Sequence, residues 1–111
     1  MAAAILNGRN VHRDVRMVVS PASQKIYAEA VRDGTIGTLV GAGVVVGHPT
    51  CGPCYGGQLS GLGDREVLIG SIPRNLQGRL GSPKSEIYSA NPAVVAASAI
   101  RGMISDPREF L

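Results

Sequence analysis

Short apolar runs separated by helix-like segments constrain the fold of this chain most strongly. The runs VRMVVS (15–20), GVVVG (43–47) and EVLIGS (66–71) are rich in Val, Ile and Leu and show no strict alternation with polar residues. Such runs predict strands buried on both faces, as in parallel sheets that helices cover. Because helix signals lie between and after them, the sequence predicts an α/β fold, a three-layer α/β/α domain with a mainly parallel sheet.

Start and stop signals predict the helices. The segment AAAILN (2–7) is predicted to be a short helix that Gly8 ends, and residues 35–43 are predicted to form another. Ser20 is predicted to cap a helix with Pro21 at its first position and Gly34 at its end. This predicted helix has apolar residues on one face, at Ile26, Tyr27, Ala30 and Val31.

The segment NPAVVAASAIRG (91–102) carries the clearest helix signals. Asn91 is a cap residue, Pro92 suits the first helical position, and Gly102 suits the end. The remaining SDPREFL is predicted to be a polar turn with two apolar residues.

Length and charge limit the classes of protein to which this chain can belong. With 111 residues, the chain is expected to be a single domain over 1–111 with a modest core. The formal charge of +3 is scattered and aromatic residues are few, which argues against a nucleic-acid-binding surface. No apolar run reaches about 18 residues and the start does not resemble a signal peptide, so no membrane span and a cytoplasmic location are expected.

Both cysteines lie in HPTCGPCYGGQ (48–58), as the motif Cys51-Gly52-Pro53-Cys54. A C-G-P-C dithiol is typical of thioredoxin-like redox proteins, in which the first cysteine lies at a helix N-terminus. The residues that follow, YGGQLSGLGD (55–64), favour a helix poorly because of their glycines and serine. Zinc is an alternative, since His48 lies near both cysteines, but a closed site needs four ligands and the chain has one other histidine, His12.

Two further interpretations of the cysteine loop stay open. The thiols are compatible with a pair of buried cysteines in a turn that binds nothing. An iron–sulfur cluster also uses thiolate ligands, and nearby glycines let the backbone approach the cluster. Two cysteines are too few for the common clusters held by one chain, so this interpretation requires another ligand from elsewhere.

Three motifs taken together carry a resemblance to a known family. These are CGPCYGG (51–57), SIPRNLQGRLGS (71–82) and EIYSANPAVVAASAIRGMISDPREFL (86–111), and NGRNVHRDVRMVVSPASQKIY (7–27) adds to them. In order and spacing they resemble the aconitase superfamily, in particular the separate large subunits of 3-isopropylmalate dehydratase and homoaconitase. The resemblance covers essentially the whole chain and implies the fold of an aconitase iron–sulfur domain.

The resemblance implies roles for particular residues. Family members hold a [4Fe–4S] cluster with three cysteines, of which Cys51 and Cys54 match the CxxC pair. The family's arginine loop, Asn-Arg-Asn-Phe-x-Gly-Arg, matches residues 73–79, so Arg74 and Arg79 resemble its substrate-carboxylate binders. A planar guanidinium suits this task because it grips a carboxylate in two places.

The chain departs from the family pattern at two positions of the arginine loop. Pro73 stands where the family has an asparagine close to the cluster, and Leu76 replaces the usual phenylalanine. A side-chain donor near the cluster is therefore expected to be absent.

The resemblance implies that other parts of the enzyme are needed. In the family, the third cysteine and further substrate-binding residues lie upstream of the part that matches Met1, and the catalytic serine belongs to a small subunit. The chain is expected to correspond to the C-terminal domain of a large subunit and to contain no catalytic residue of its own. The expected reaction is dehydration and rehydration of a hydroxy di- or tricarboxylic acid, as in leucine biosynthesis, with self-association a further expectation.

Overall fold

The computed structural model describes residues 1–54, 57, 59 and 61–111. In chain order, its helices are α1 (Ala2–Leu6), α2 (Gln24–Arg32), α3 (Thr35–Gly41), α4 (Pro92–Arg101) and a final 3₁₀ helix (Pro107–Phe110). Its strands are β1 (Val18–Val19), β2 (Val45–Val46), β3 (Val67–Gly70) and β4 (Glu86–Ser89). No helix in these ranges is long and apolar enough to cross a membrane.

The strands form two separate parallel pairs. β1 pairs with β2, with Val18 opposite Val45, and β3 pairs with β4, with Ile69 opposite Tyr88. The α/β class with parallel strands is therefore confirmed. β1 is much shorter than the predicted run 15–20, because only Val18 and Val19 pair with β2. β4 was not predicted, since EIYS mixes polar and apolar residues and lacks the all-apolar pattern of the other strands.

The core lies where α1, α3 and α4 meet below the first strand pair. Ile5 and Leu6 of α1 are 1% and 0% exposed, and they belong to one buried cluster with Ala96 and Ala99 of α4. Met17, Leu39, Ala42 and Val44 complete that cluster. Since the chain has one Phe and no Trp, small and branched aliphatic side chains fill this core.

Helix α4 begins and ends where its sequence signals predict. The Asn91 side chain accepts hydrogen bonds from the amides of Ala93 and Val94, each 3.0 Å long. Gly102 ends the helix with φ of +78°, a left-handed conformation that suits glycine. The short helix over residues 2–7 is also found, ending at Leu6.

The predicted cap of α2 is wrong. Ser23, and not Ser20, caps this helix, accepting a hydrogen bond from the Ile26 amide. Ser20 is engaged in a different contact, with the loop that follows β2. Ser-Pro at 20–21 is compatible with a helix start, but it equally suits the extended backbone before one, so this signal alone misplaced the boundary.

Several apolar side chains of helix α2 and of the strands are exposed. Ile26 and Val31 on α2 are 49% and 53% exposed, and Val45 and Val67 on the strands are 53% and 59% exposed. The sequence pattern predicted strands buried on both faces, whereas Val45 and Val67 are more than half exposed among the described residues.

Arginine side chains from elsewhere in the chain contact the final 3₁₀ helix, where the sequence predicted only a polar turn. The guanidinium groups of Arg9 and Arg101 each lie over the Phe110 ring, 5.4 and 5.5 Å from its centre. Asp106 caps the helix, and its hydrogen bonds with Arg108 lower the pKa of the Asp106 carboxyl to about 2.

The Asn91 cap should contribute measurably to stability because α4 supports the core. We expect Asn91→Ala to lower the free energy of unfolding by about 1 kcal/mol, since two amides of the first turn lose their acceptor. Urea unfolding followed by circular dichroism measures this change. Asn10→Ala, at an exposed position that caps no helix, is the matched control. Equal stability of the two variants would contradict the assigned role of the cap.

Candidate functional site

The loop that follows β2 is tied to the residue that follows β1. The Ser20 hydroxyl donates a hydrogen bond to the carbonyl of His48 over 2.8 Å, and the Thr50 amide approaches the same hydroxyl at 3.4 Å. The Thr50 hydroxyl in turn accepts from the Gly52 amide over 2.9 Å. These contacts fix the backbone that leads into the cysteine motif.

Gly52, between the two cysteines, occupies a position that suits only glycine. Its φ is +59°, and a Cβ atom added there would lie 3.1 Å from the Cβ of Ser20. Gly52 is buried, while Cys51 is exposed and Cys54 half-buried, and both thiols are free. The loop thus turns tightly against Ser20 and leaves Cys51 exposed and Cys54 partly exposed, with no disulfide between them.

The arginine loop, residues 73–79, follows β3, and the chain is anchored just beyond its far end. Leu62 donates its amide to the carbonyl of Leu80 and accepts from the amide of Ser82, both over 2.8 Å. Gly81 lies against this segment so closely that an added Cβ would come within 2.4 Å of the Leu62 carbonyl oxygen. A glycine is therefore required where the arginine loop rejoins the body of the fold.

Arg79 joins the two loops. Its Nε donates a 2.6 Å hydrogen bond to the carbonyl oxygen of Cys54, and its Nη2 lies 3.4 Å from the Cys54 Sγ. A charged donor shared between a backbone carbonyl and a sulfur is a strong contact for a half-buried pair. Arg74, by contrast, is exposed, and no hydrogen bond joins it to another described residue. The structure thus brings together Cys54 and Arg79 among the predicted site residues.

Both loops also border one cleft of about 770 Å³. Cys51, Gly52 and Pro53 line it from the cysteine loop, and Ser71, Ile72 and Pro73 line it from the segment after β3. Because β1, β2 and β3 each lead into these segments, this end of the cleft lies at the carboxyl ends of the strands, where a parallel α/β fold normally binds its ligands.

The redox and zinc interpretations find no support in this geometry. Cys51–Cys54 form a loop and a turn, so no helix begins at Cys51 to activate its thiol. The predicted absence of a helix in 55–64 falls partly on Tyr55, Gly56, Gln58 and Ser60, which lie outside the described residues. Among residues the structure describes, no three His, Cys, Asp or Glu side chains are grouped as metal ligands. His12 packs instead beside Gly102.

Comparison with known proteins identifies the family. The model of the aconitase family (aconitate hydratase) matches residues 1–102. An α/β fold with parallel strands, a CxxC loop and an adjoining arginine loop agrees with that match. The chain belongs to the aconitase family, which confirms the resemblance drawn from its motifs.

Within the family, the chain is most informatively compared with individual relatives, which are large subunits. The chain is 56% identical over 110 residues to the 3-isopropylmalate dehydratase large subunit of Aliarcobacter butzleri, covering 99% of the chain and 26% of the relative. It is 51% identical over 110 residues to the protein of the same name from Nautilia profundicola, with the same coverage. It is also 50% identical over 109 residues to a probable methanogen homoaconitase large subunit of Methanothermobacter thermautotrophicus, covering 98% of the chain. The chain spans about a quarter of the length of these relatives.

The sequence did not predict the residues that hold the two loops in place, none of which is a candidate ligand or substrate-binding residue. Ser20, Thr50 and Gly52 hold the cysteine loop, yet Ser20 was interpreted as a helix cap. Leu62 and Gly81 clamp the arginine loop, and no local pattern pairs them. The only available signal was the density of glycines around both loops, which indicates close backbone approaches without identifying them.

The contact between Arg79 and Cys54 should control how firmly the cysteine loop is held. We expect Arg79→Gln to increase amide hydrogen exchange in residues 50–54 by about tenfold, because a hydrogen bond from a charged donor is lost. Hydrogen exchange followed by mass spectrometry measures this. The control is Arg74→Gln, which removes the same charge from an exposed position of the same loop. If both variants exchange alike, the observed contact does not hold the loop.

Proposed function

We propose that this chain supplies part of the active centre of an aconitase-type hydro-lyase similar to 3-isopropylmalate dehydratase or homoaconitase. In this proposal, Cys51 and Cys54 are two thiolate ligands of a [4Fe–4S] cluster, and Arg74 and Arg79 bind substrate carboxylates. The observation that carries the proposal is the hydrogen bonding of Arg79 to Cys54, which joins the cysteine loop to the arginine loop.

The two thiols are suited to bind the cluster because thiolates are its usual ligands and because neither thiol is fully buried. Both are free, and the loop between them turns through Gly52, whose missing side chain lets its neighbours approach a bound group closely. They make up only part of a donor set, because the family resemblance implies three cysteines and this chain has two. The rest of the set would come from another part of the enzyme.

The arginine loop suits carboxylate binding. Both arginines lie on one loop, and Arg79 adjoins the point where Leu62 ties the chain down, so its guanidinium group projects from a fixed backbone. Only part of the Arg79 side chain is used by Cys54, since its Nη1 makes no hydrogen bond to a described residue. Pro73, where the family has asparagine, lines the same cleft as Cys51 and brings no side-chain donor to it.

These residues define what the chain would contribute to the reaction. When bound, the cluster supplies a Lewis acid for loss and return of water from a hydroxy di- or tricarboxylic acid. The arginines would hold the carboxylates of that acid and fix its orientation. Other large-subunit domains and a small subunit would complete the site in the cytoplasm, and with 3-isopropylmalate as substrate the reaction belongs to leucine biosynthesis.

A chimaera tests the proposed roles. Residues 1–111 replace the matching quarter of the Aliarcobacter butzleri large subunit, and the purified protein is combined with that organism's small subunit and assayed with 3-isopropylmalate. We expect Cys51→Ser and Cys54→Ser to abolish the iron–sulfur absorption and the turnover. We expect Arg74→Lys and Arg79→Lys to keep the absorption but lose about 10- to 100-fold in kcat/KM, because bidentate carboxylate binding is lost.

Exposed Arg13, changed to Lys, is the control for the chimaera because its side chain is 89% exposed. Its turnover and absorption should match those of the unchanged chimaera. Full iron content in both cysteine variants would contradict the ligand role, and unchanged kcat/KM in both arginine variants would contradict the carboxylate role.

The 111-residue chain alone should not turn over substrate. The reason is its two cysteines, where the family resemblance implies three, and the lack of a catalytic residue among those that match. The measurement is isomerisation of 3-isopropylmalate after anaerobic addition of iron and sulfide, with Cys51→Ser treated alike as the blank. Turnover clearly above that blank would show this prediction to be wrong.

A further inference from the structure

The base of the Arg79 side chain is held by backbone contacts on both sides. The Arg79 amide donates a hydrogen bond to the carbonyl of Leu76 over 3.1 Å, which closes a turn through Gly78. The next residue, Leu80, is 1% exposed, and its carbonyl accepts the amide of Leu62 over 2.8 Å. The position from which the Arg79 guanidinium reaches the cysteine loop is therefore fixed.

The other polar side chains of the arginine loop do not contact the cysteines. The Gln77 side chain donates to the carbonyl of Pro83 over 2.9 Å. Arg74 and Asn75 are exposed, and neither side chain makes a hydrogen bond within the described part of the chain. The remaining side chains of the loop carry no donor. Among the described contacts, Arg79 is therefore the only side chain of this loop that donates to a cysteine.

One edge of the Arg79 guanidinium faces Cys54. Its Nε donates to the Cys54 carbonyl over 2.6 Å, and its Nη2 lies 3.4 Å from the Cys54 Sγ. These two nitrogens share one edge of a planar fork, so their N–H bonds point in the same direction. The short bond from a charged donor to the carbonyl fixes where that edge lies. Nη2 is thereby presented to the sulfur at a fixed place, and it favours the one rotamer of Cys54 that reaches it.

A second edge of the same guanidinium stays available for a ligand. The group carries five N–H donors, and two of them are directed at Cys54. Nη1 makes no hydrogen bond to a described residue, and it forms a parallel pair of donors with the second proton of Nη2. Such a pair can bind both oxygens of a carboxylate. The contact with Cys54 is therefore compatible with carboxylate binding by Arg79.

We propose that Arg79 is a positioning residue for Cys54, which holds the Cys54 thiol in one rotamer and joins that ligand to the substrate carboxylate through the two edges of one guanidinium. The cluster as the bound group rests on the proposed function, whereas the orientation of the thiol rests on contacts within this chain. A residue that orients a metal ligand strengthens metal binding and slows metal loss. Arg74 makes no such contact, so the two arginines of the loop have different roles.

A purely structural role for Arg79 is the alternative. In that case only the bond from Nε to the Cys54 carbonyl matters, and its loss loosens the backbone of the cysteine loop. That bond sets no requirement for the direction of the Sγ. The side-chain rotamer of Cys54 therefore separates the two roles, because only a positioning residue controls it.

Nuclear magnetic resonance of the reduced 111-residue chain measures this rotamer. The three-bond couplings between the Hα and the two Hβ protons of Cys54 should have the values of one staggered rotamer. We expect averaged couplings in Arg79→Gln and in Arg79→Lys, because the single lysine nitrogen cannot donate to the carbonyl and the sulfur side by side. Arg74→Gln, which removes the same charge from the same loop, should keep the wild-type couplings.

Iron loss from the cluster-loaded chimaera measures the consequence for the ligand. The chimaera and its variants are incubated anaerobically, without substrate, with a chelator that becomes coloured when it binds ferrous iron. We expect Arg79→Gln and Arg79→Lys to lose iron about tenfold faster than the unchanged chimaera, and Arg74→Gln to stay within about twofold. The lysine variant separates the hydrogen bonds from the charge, since it keeps the charge and loses the paired donors.

Several results would overturn the inference. These are averaged Cys54 couplings in the wild-type chain, wild-type couplings in both Arg79 variants, equal iron loss in Arg79→Gln and Arg74→Gln, and unchanged iron loss in Arg79→Lys. Circular dichroism checks that each variant folds, and where an Arg79 variant does not, the other variant and the wild-type couplings decide. A chimaera that holds no cluster would contradict the proposed function, and the Cys54 couplings would then decide the inference on their own.

Discussion

The alanine-rich face of α4 is the contact on which the rest of the fold depends. Ala96 and Ala97 are fully buried, and such small side chains let α1 approach α4 closely enough to bury Ile5 and Leu6. The same helix receives a backbone hydrogen bond from His12 before β1, and it begins next to the end of β3. One short helix therefore sets the relative direction of two strand pairs that do not touch through hydrogen bonds. Its caps at Asn91 and Gly102 matter for that reason, because a shift of either end would move both pairs.

The candidate site lies on the connections, and local contacts give those connections their shape. Ser20 holds the cysteine loop from β1, Leu62 holds the end of the arginine loop, and Arg79 bridges the two loops. None of these contacts lies within a helix or a strand pair. The side chains of Ser20 and Arg79 and the backbone of Leu62 therefore position the loops.

Short sequence patterns correctly predicted those helices and strands whose formation depends on neighbouring residues alone. The α4 caps, the α/β class and the parallel strands followed from short-range patterns, since a cap or an all-apolar strand is recognisable without its neighbours. The start of α2 was misplaced because Ser20 bonds to a residue 28 positions away, which no local pattern reveals. β4 was missed because its pairing with β3, rather than its composition, makes it a strand. The family was predictable from joint motif spacing, whereas the roles of Cys51, Cys54, Arg74 and Arg79 remain predictions that geometry alone does not test.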